Sequence, residues 1–493
     1  MMFPNSWIDR LRCPDCRKQF AFTPTGREGR EAAKYGILQC ACFRYPVVDG
    51  VPILLKGHVG QLGVGGEFES KGPDVEEVAR LVSAGRGPEA LIRCLAFTPR
   101  FRILDRLPGW RLWHTGLVPA LSRKWIERRL DRMLDGARES LAAEDWFEFF
   151  FAGPTASDPG HLPYYRNRAV LPRSLAAFSL LALLPQSDKP VLDLACGYGP
   201  FGHYLTKRRG STPVIGMDFN FYLVWGQKHW IAPDATFVCA DANKRFPFAD
   251  DTLAGIFCSD AFMYLHDKPA ALAEFRRCAP EKPVILSRVG NKTASPKEMW
   301  GDSHTAEGYM DLFDSKDTRV FSDYALVRHY LARRNPLSYG PTDIRDLHWD
   351  KWLHFVLNYH GLQEAVVDAT ADWPHQVGTL TLSSLYERET LPNGKYRLTF
   401  RFPSIWFAYQ NGDMYSYHGD QLECSADVVD RARSGRVDSE VNDLIERFVL
   451  IGLPDRYLKT KRQRHAYVPM LLSTILDEGP ATVTRLCEIF PSA

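Results

Sequence analysis

Pro190-Val-Leu-Asp-Leu-Ala-Cys-Gly-Tyr-Gly-Pro-Phe-Gly202 decides the reading of the chain's centre. Pro190–Leu194 is a short apolar run carrying one acid, Asp193, and predicts a buried strand. Ala195–Gly202 reads as a tight loop leading into a helix. Working outward, Pro213–Met217 predicts a second strand ending at Asp218, and Ala235–Cys239 a third, followed by Asp241 and Ala242. Leu253–Ser259 predicts a fourth strand, Lys268–Cys278 a helix and Pro283–Ser287 a fifth strand. Strands alternating with helices predict an α/β, doubly wound, mostly parallel sheet. Such a sheet binds ligands beyond the carboxyl ends of its strands.

The string Gly197-x-Gly199-x-x-Gly202 also occurs in dinucleotide sites. Here Asp193 stands four residues before Gly197. A carboxylate there repels a pyrophosphate and suits a cationic headgroup, such as the ammonium and sulfonium of S-adenosylmethionine. Gly197 and Gly199 let the backbone approach that moiety closely. Asp218, 25 residues after Asp193, suits the two ribose hydroxyls, and Phe219 an adenine face. Asp241 is placed to accept from the adenine amino group, with the Ala242 backbone beside it. Ser259, at the end of the fourth strand, is expected to border the transferred methyl. Tyr164, with Tyr165 and Arg166, is a candidate lid over the cleft.

With these residues in place, the region of about 170–290 resembles the class I S-adenosylmethionine-dependent methyltransferases. The motifs are Val191–Gly202, Val214–Asn220 and Cys239–Ala242. Phe246–Asp260, then Leu265-His266 and Ala271–Cys278, resemble the small-molecule methyltransferase subgroup. Ala195 replaces a glycine of many members, and Pro280-Glu-Lys-Pro283 replaces a Pro-Gly-Gly turn. The resemblance implies one bound S-adenosylmethionine, with Ala195 among the residues around it, and methyl transfer to O, N, C or S.

The N-terminal segment carries Cys13-Pro-Asp-Cys16 and Cys40-Ala-Cys42. Four thiolates in two close pairs predict a structural zinc site, because tetrahedral sulfur coordination favours zinc. Residues 8–56, through Cys13-Pro14-x-Cys16 and Tyr45-Pro46-Val47-x-Asp49-Gly50-Val51-Pro52, resemble the zinc-ribbon activator subunits of tRNA and protein methyltransferases. The single spacer between Cys40 and Cys42 departs from the usual two. The resemblance implies support of a methyltransferase partner, here in the same chain.

The chain has 493 residues, 45% hydrophobic and 24% charged, with net charge +2. This predicts several domains and excludes a global field for nucleic acid. Residues 100–135 carry nine basic residues (Arg100, Arg102, Arg106, Arg111, Arg123, Lys124, Arg128, Arg129 and Arg132) against four acids. They predict either a solvated helical face or a surface for an anion. No apolar run reaches the roughly 18–20 residues of a membrane span. No apolar signal segment opens the chain, and the eleven cysteines are odd in number. The expectation is a cytoplasmic protein with no membrane partner.

The expected domains are 1–58, a zinc ribbon; 59–160, a helical linker region; 161–330, the cofactor-binding methyltransferase domain; and 331–493, an α+β accessory, acceptor-binding domain. Near residue 120, Trp125, Leu130 and Leu134 are expected to share a buried helical face. Residues 319–334 read as a helix. Thr379–Ser383 and Tyr396–Phe400 read as a hairpin around Leu391–Gly394, and 438–450 and 481–489 as helices. The aromatic load of 400–417 (Phe400, Phe402, Trp406, Phe407, Tyr409, Tyr415 and Tyr417) suits either an acceptor pocket or a second core. Residues 477–486 faintly resemble a winged helix.

Methyl transfer is a displacement at a sulfonium methyl, so alignment and exclusion of water dominate. A hydroxyl acceptor also needs a base. His266 and His304 are the candidates. The leading expectation is methylation of a small or medium-sized metabolite at O or N. The alternatives are methylation of RNA or protein, through a nucleic-acid or peptide partner, and a catalytically inactive cofactor-binding scaffold.

Overall fold

The computed structural model describes residues 5–25, 34–61, 70–96, 117–137, 141–151, 161–210, 212–294, 301–313, 317–332, 343–359, 378–414 and 418–458. Arg100, Arg102, Arg106, Arg111, Tyr415, Tyr417 and the 477–489 readings lie outside them, as do the side chains of Trp406 and Tyr409. The chain divides into two compact units, one of residues 1–140 and 176–370, the other of 141–175 and 371–493.

The first unit begins with an antiparallel sheet of β1 (Ala21–Pro24), β2 (Gly36–Gln39), β3 (Arg44–Val48) and β4 (Val51–Pro52). A second antiparallel pair, β5 (His58–Gln61) and β6 (Ser70–Asp74), follows it. The main sheet comprises β7 (Val191–Leu194), β8 (Val214–Asp218), β9 (Thr236–Cys239), β10 (Gly255–Ser259), β11 (Val284–Gly290), β12 (Arg319–Ser322) and β13 (Trp352–Leu357). Its order is β12-β13-β11-β10-β7-β8-β9. The pairs from β11 through β9 are parallel, whereas β13 adds antiparallel to both β11 and β12. Strands β7, β8, β10 and β11 are buried along their whole length, as covering both faces of a parallel sheet requires. Their apolar side chains form one core with Trp7, Leu11, Phe20, Leu38, Tyr45 and Val47 of the N-terminal segment.

The N-terminal segment is bridged to the sheet and to the loops that follow its strands at three places. Ile53 bridges Cys239 in parallel, with Leu54 N donating to Cys239 O at 2.8 Å. Leu11 bridges Phe248 antiparallel, and Gly60 bridges Asn220. No helix among the described residues is long and apolar enough to cross a membrane.

Several expectations change. Residues 319–322 are β12, not helix, and the helix that follows is Asp323–Leu331, with the Ser322 hydroxyl accepting from Ala325 N. Strand β13 lies beyond residue 330, within the stretch expected to be accessory, yet it completes the main sheet. In the helix Leu117–Ala137, Ile126 and Leu130 are buried and Trp125 is 43% exposed. Leu130 is thus on the buried face as expected and Leu134 is half-buried, but Ile126 takes the place expected of Trp125, whose ring lies under the Arg129 guanidinium. Arg128, Arg129 and Arg132 are exposed.

In the second unit, β14 (Thr379–Leu382) pairs with β18 (Leu450–Leu453), while β15 (Tyr386–Thr390), β16 (Tyr396–Phe400) and β17 (Gln421–Cys424) form a separate sheet. The hairpin around Leu391–Gly394 thus joins β15 to β16, not β14 to β16. The helix expected at 438–450 ends at Glu446, with β18 beyond it. Phe400, Phe402 and Phe407 are buried. Phe400 stacks on His418, whose ring burial pushes down to about 3. These rings are core.

Candidate functional site

The loop Ala195–Pro200 turns sharply out of β7. Ala195 has φ 53° and Gly197 φ 50°, a region costly for residues with a Cβ. Gly199 N donates to Cys196 O at 2.9 Å and Cys196 N to Met217 O at 3.2 Å, which fixes the loop against the end of β8. A Cβ built on Gly197 meets nothing within 4 Å, so this side of the loop faces open space. A Cβ on Gly202 would lie 3.8 Å from Asp193 Oδ2, so the helix Phe201–Arg209 starts against that carboxylate. Asp193 is 1% exposed.

Asp218 ends β8 with both carboxylate oxygens engaged. Oδ2 accepts from Gly197 N at 3.1 Å and Oδ1 from Asn220 N at 2.9 Å. Burial pushes its carboxyl up to about 6, against the pull of these N–H groups. Ala240 N donates to Asp218 O at 3.0 Å, tying the end of β9 to the end of β8. Asp241 follows, half-buried, with Asn243 N donating to its Oδ1 at 2.8 Å. The strand-end acids Asp193, Asp218 and Asp241 are thereby linked through one set of loops. A buried carboxylate at the end of β7, another at the end of β8 and an open backbone cradle between them fit the donor-rich, cationic S-adenosylmethionine.

Phe219 and Ala242 are half-buried, and Ser259 is buried at the end of β10. His266 is exposed, and its backbone N–H donates to Asn243 Oδ1 at 2.7 Å. His304 is half-buried, with Nε2 3.6 Å from Asp302 and its ring edge-on to Tyr309. Tyr164 belongs to the second unit, where Arg168 lies over its ring. Its neighbours pack within that unit. Tyr165 stacks on Phe147 and Phe151, and Arg166 pairs with Glu144 and Glu148.

The four N-terminal sulfurs converge. Sγ atoms of Cys13, Cys16, Cys40 and Cys42 all lie within 4.8 Å of one another, with Cys13–Cys42 at 3.5 Å and Cys40–Cys42 at 3.4 Å. Four thiolates at about 2.3 Å around zinc are about 3.8 Å apart, so the donor set fits this ion despite the single spacer. The Lys18 backbone N–H pulls Cys16 down to about 7, whereas desolvation and neighbouring thiols push Cys42 up.

Two features escaped the sequence reading. Asp49, 2% exposed, accepts from Trp225 Nε1 at 2.8 Å and lies 2.9 Å from His229 Nε2. Arg17, at the cysteine knuckle with φ 63°, donates to Phe246 O and Phe248 O at 3.1 and 3.2 Å. Together with Arg12 N on Pro247 O and the contacts at Ile53 and Leu54, it ties the ribbon to both ends of the segment holding Asp241. The chain separation of these partners hides them from any local motif.

Residues 191–281 match the family described as "Methyltransferase domain". No curated protein matches the chain. Among solved structures, the complex of the Haloferax volcanii Trm112 methyltransferase activator with a methyltransferase aligns at 17% identity and TM-score 0.31, over 41% of this chain and 96% of that one. Geranyl diphosphate C-methyltransferase from Streptomyces coelicolor A3(2) aligns at 16% identity and TM-score 0.28, over 37% of this chain and 74% of that one. An S-adenosylmethionine-dependent methyltransferase from Mesorhizobium loti aligns at 13% and 0.29, over 37% and 96%. The chain contains a methyltransferase domain with the class I S-adenosylmethionine-dependent fold, preceded by a four-cysteine cluster of metal-binding geometry.

Proposed function

We propose that the chain is an S-adenosylmethionine-dependent methyltransferase acting on RNA or protein, with its ribbon supporting the cofactor site in cis. The observation that carries the reading is the linked set of acids Asp193, Asp218 and Asp241 at the ends of β7, β8 and β9, beside the open cradle at Gly197. S-adenosylmethionine supplies an electrophilic sulfonium methyl when bound. Asp193 attracts the cationic end, Asp218 accepts from the ribose hydroxyls, Asp241 accepts from the adenine amino group, and Phe219 and Ala242 line the base. Ser259 borders the acceptor side. His266 is exposed on the loop after β10 and is the first candidate base; His304 is the second.

Two observations favour a macromolecular acceptor. The ribbon is built into the same unit and holds the Asp241 segment at both ends, as a fused activator would. Tyr324 and Trp349, 51% and 56% exposed, meet edge to face with Arg328 over the Tyr324 ring, a surface on which a flat group can stack. The likeness of Phe246–Asp260 to small-molecule enzymes favours a second reading, a metabolite methylated at O or N.

Incubation with tritiated S-adenosylmethionine and the RNA, protein and metabolite fractions of a cell extract tests both. Label entering RNA or protein supports the first reading, and label confined to metabolites replaces it with the second. Cofactor binding with no label in any fraction leaves a scaffold.

A further inference from the structure

Asn243 sits two residues after Asp241 and is half-buried. Its side-chain Nδ2 donates to Asp241 Oδ1 at 3.2 Å, its backbone N donates to the same oxygen at 2.8 Å, and its Oδ1 accepts from His266 N at 2.7 Å. The two partners fix the orientation of the amide. Flipped, it would set its oxygen against a carboxylate and its NH2 against an N–H, which are two repulsions. One amide therefore clamps the loop after β9 to the loop after β10.

Both bonds to Asp241 fall on Oδ1. No described residue donates a hydrogen bond to Oδ2. A carboxylate held this way keeps one oxygen for an incoming N–H and cannot rotate to share both. Lys244 N also donates to Asp241 O at 3.1 Å, so the backbone on either side of the carboxylate is fixed too.

We propose that Asn243 is a positioning residue for nucleobase recognition: it orients Asp241 so that the site selects a base with an exocyclic amino group, and it couples that selection to the loop bearing His266. The proposal rests on the methyltransferase reading above. It concerns Asn243 alone, and the arrangement of the two hydrogen bonds carries it.

The test is calorimetric titration of the full chain with S-adenosylhomocysteine and with S-inosylhomocysteine, in which a carbonyl replaces the amino group. The wild-type protein is expected to prefer the adenosyl compound at least about tenfold, as one hydrogen bond to a charged group provides. Asn243→Ala is expected to shrink that preference about tenfold, by weakening the adenosyl compound while the inosyl compound stays within about twofold. In an Asp241→Asn background, Asn243→Ala should leave the preference where it is. If Asn243→Ala fails to fold, the isosteric Asn243→Asp removes the donor and is expected to lose the preference as well.

Equal weakening of both compounds makes Asn243 a purely structural residue and overturns the proposal, as does an unchanged preference. A wild-type protein that binds both compounds equally overturns it while leaving the methyltransferase reading intact. A wild-type protein that binds neither overturns both.

Discussion

The backbone N–H of Gly197 donates to the carboxylate of Asp218 at 3.1 Å, so the loop after β7 and the end of β8 are one structure. The left-handed turn at Gly197 aims this N–H at Asp218 while the outer side of the loop stays open. Any ligand held by Asp218 therefore lies beside the cradle, and burial of that carboxylate sets its chemistry.

Asp218 titrates near 6, above its ordinary 3.8, because it is buried. Without ligand its charged form costs stability above about pH 6, and that cost disappears as pH falls toward 4. Binding runs the other way, because only the ionised carboxylate accepts from both ribose hydroxyls. Affinity for S-adenosylhomocysteine is expected to be flat above about pH 7 and to fall as pH drops through 6. Asp218→Asn should abolish that slope and weaken binding by roughly 1.5–3 kcal/mol. Calorimetry across pH checks both, and a wild-type slope equal to that of the variant contradicts the assignment.

Removing metal from the four cysteines should loosen the ribbon first. Hydrogen exchange after chelation is expected to rise at least about tenfold over residues 8–56. It should rise next over 246–250, which Arg12 and Arg17 hold. Exchange unchanged after verified metal loss counts against a structural ion.

Asp49→Ala strips the acceptor from Trp225 Nε1 and His229 Nε2 and places a residue without a polar side chain at φ 48°. A loss of about 2–4 kcal/mol is expected in urea unfolding. Asp49→Asn, which keeps an acceptor and tolerates this backbone, should lose less than half of that. Equal losses would mean that the charge alone matters.

Gly60→Ala would place a Cβ 2.5 Å from Phe219 O. The bridge between Gly60 and Asn220 must then shift, carrying Phe219 with it. A loss of about 1–3 kcal/mol in stability is expected, with weaker cofactor binding. Unchanged cofactor affinity would separate β5 from the site.

Four of the five parallel strands were legible to within two residues because each is a short, largely apolar run, which burial on both faces demands; β11 runs three residues past its expected end at Ser287. The placement of Asp193 within β7, of Asp218 as the last residue of β8 and of Asp241 two residues past β9 was legible because each acid stands at or near the end of such a run. Strands β12 and β13 were not. Arg319–Ser322 is short and runs straight into a helix, so the helical period of 323–331 absorbed it, and β13 becomes a strand through antiparallel pairing with β11, far away in the chain. The pairing of β14 with β18 was hidden in the same way. Asn243 and Asp49 owe their roles to partners 23 and 176 residues away, and local spacing carries no trace of such contacts.

The central claim is that the ends of β7, β8 and β9, beside the open backbone at Gly197, hold S-adenosylmethionine through their acids. Calorimetric titration of the full chain with that cofactor, beside Asp193→Ala shown by circular dichroism to be folded, tests it most directly. The account predicts saturable binding to one site in the wild-type protein and at least about tenfold weaker binding in the variant. Equal binding by the two proteins, or no binding by the wild type, would contradict it.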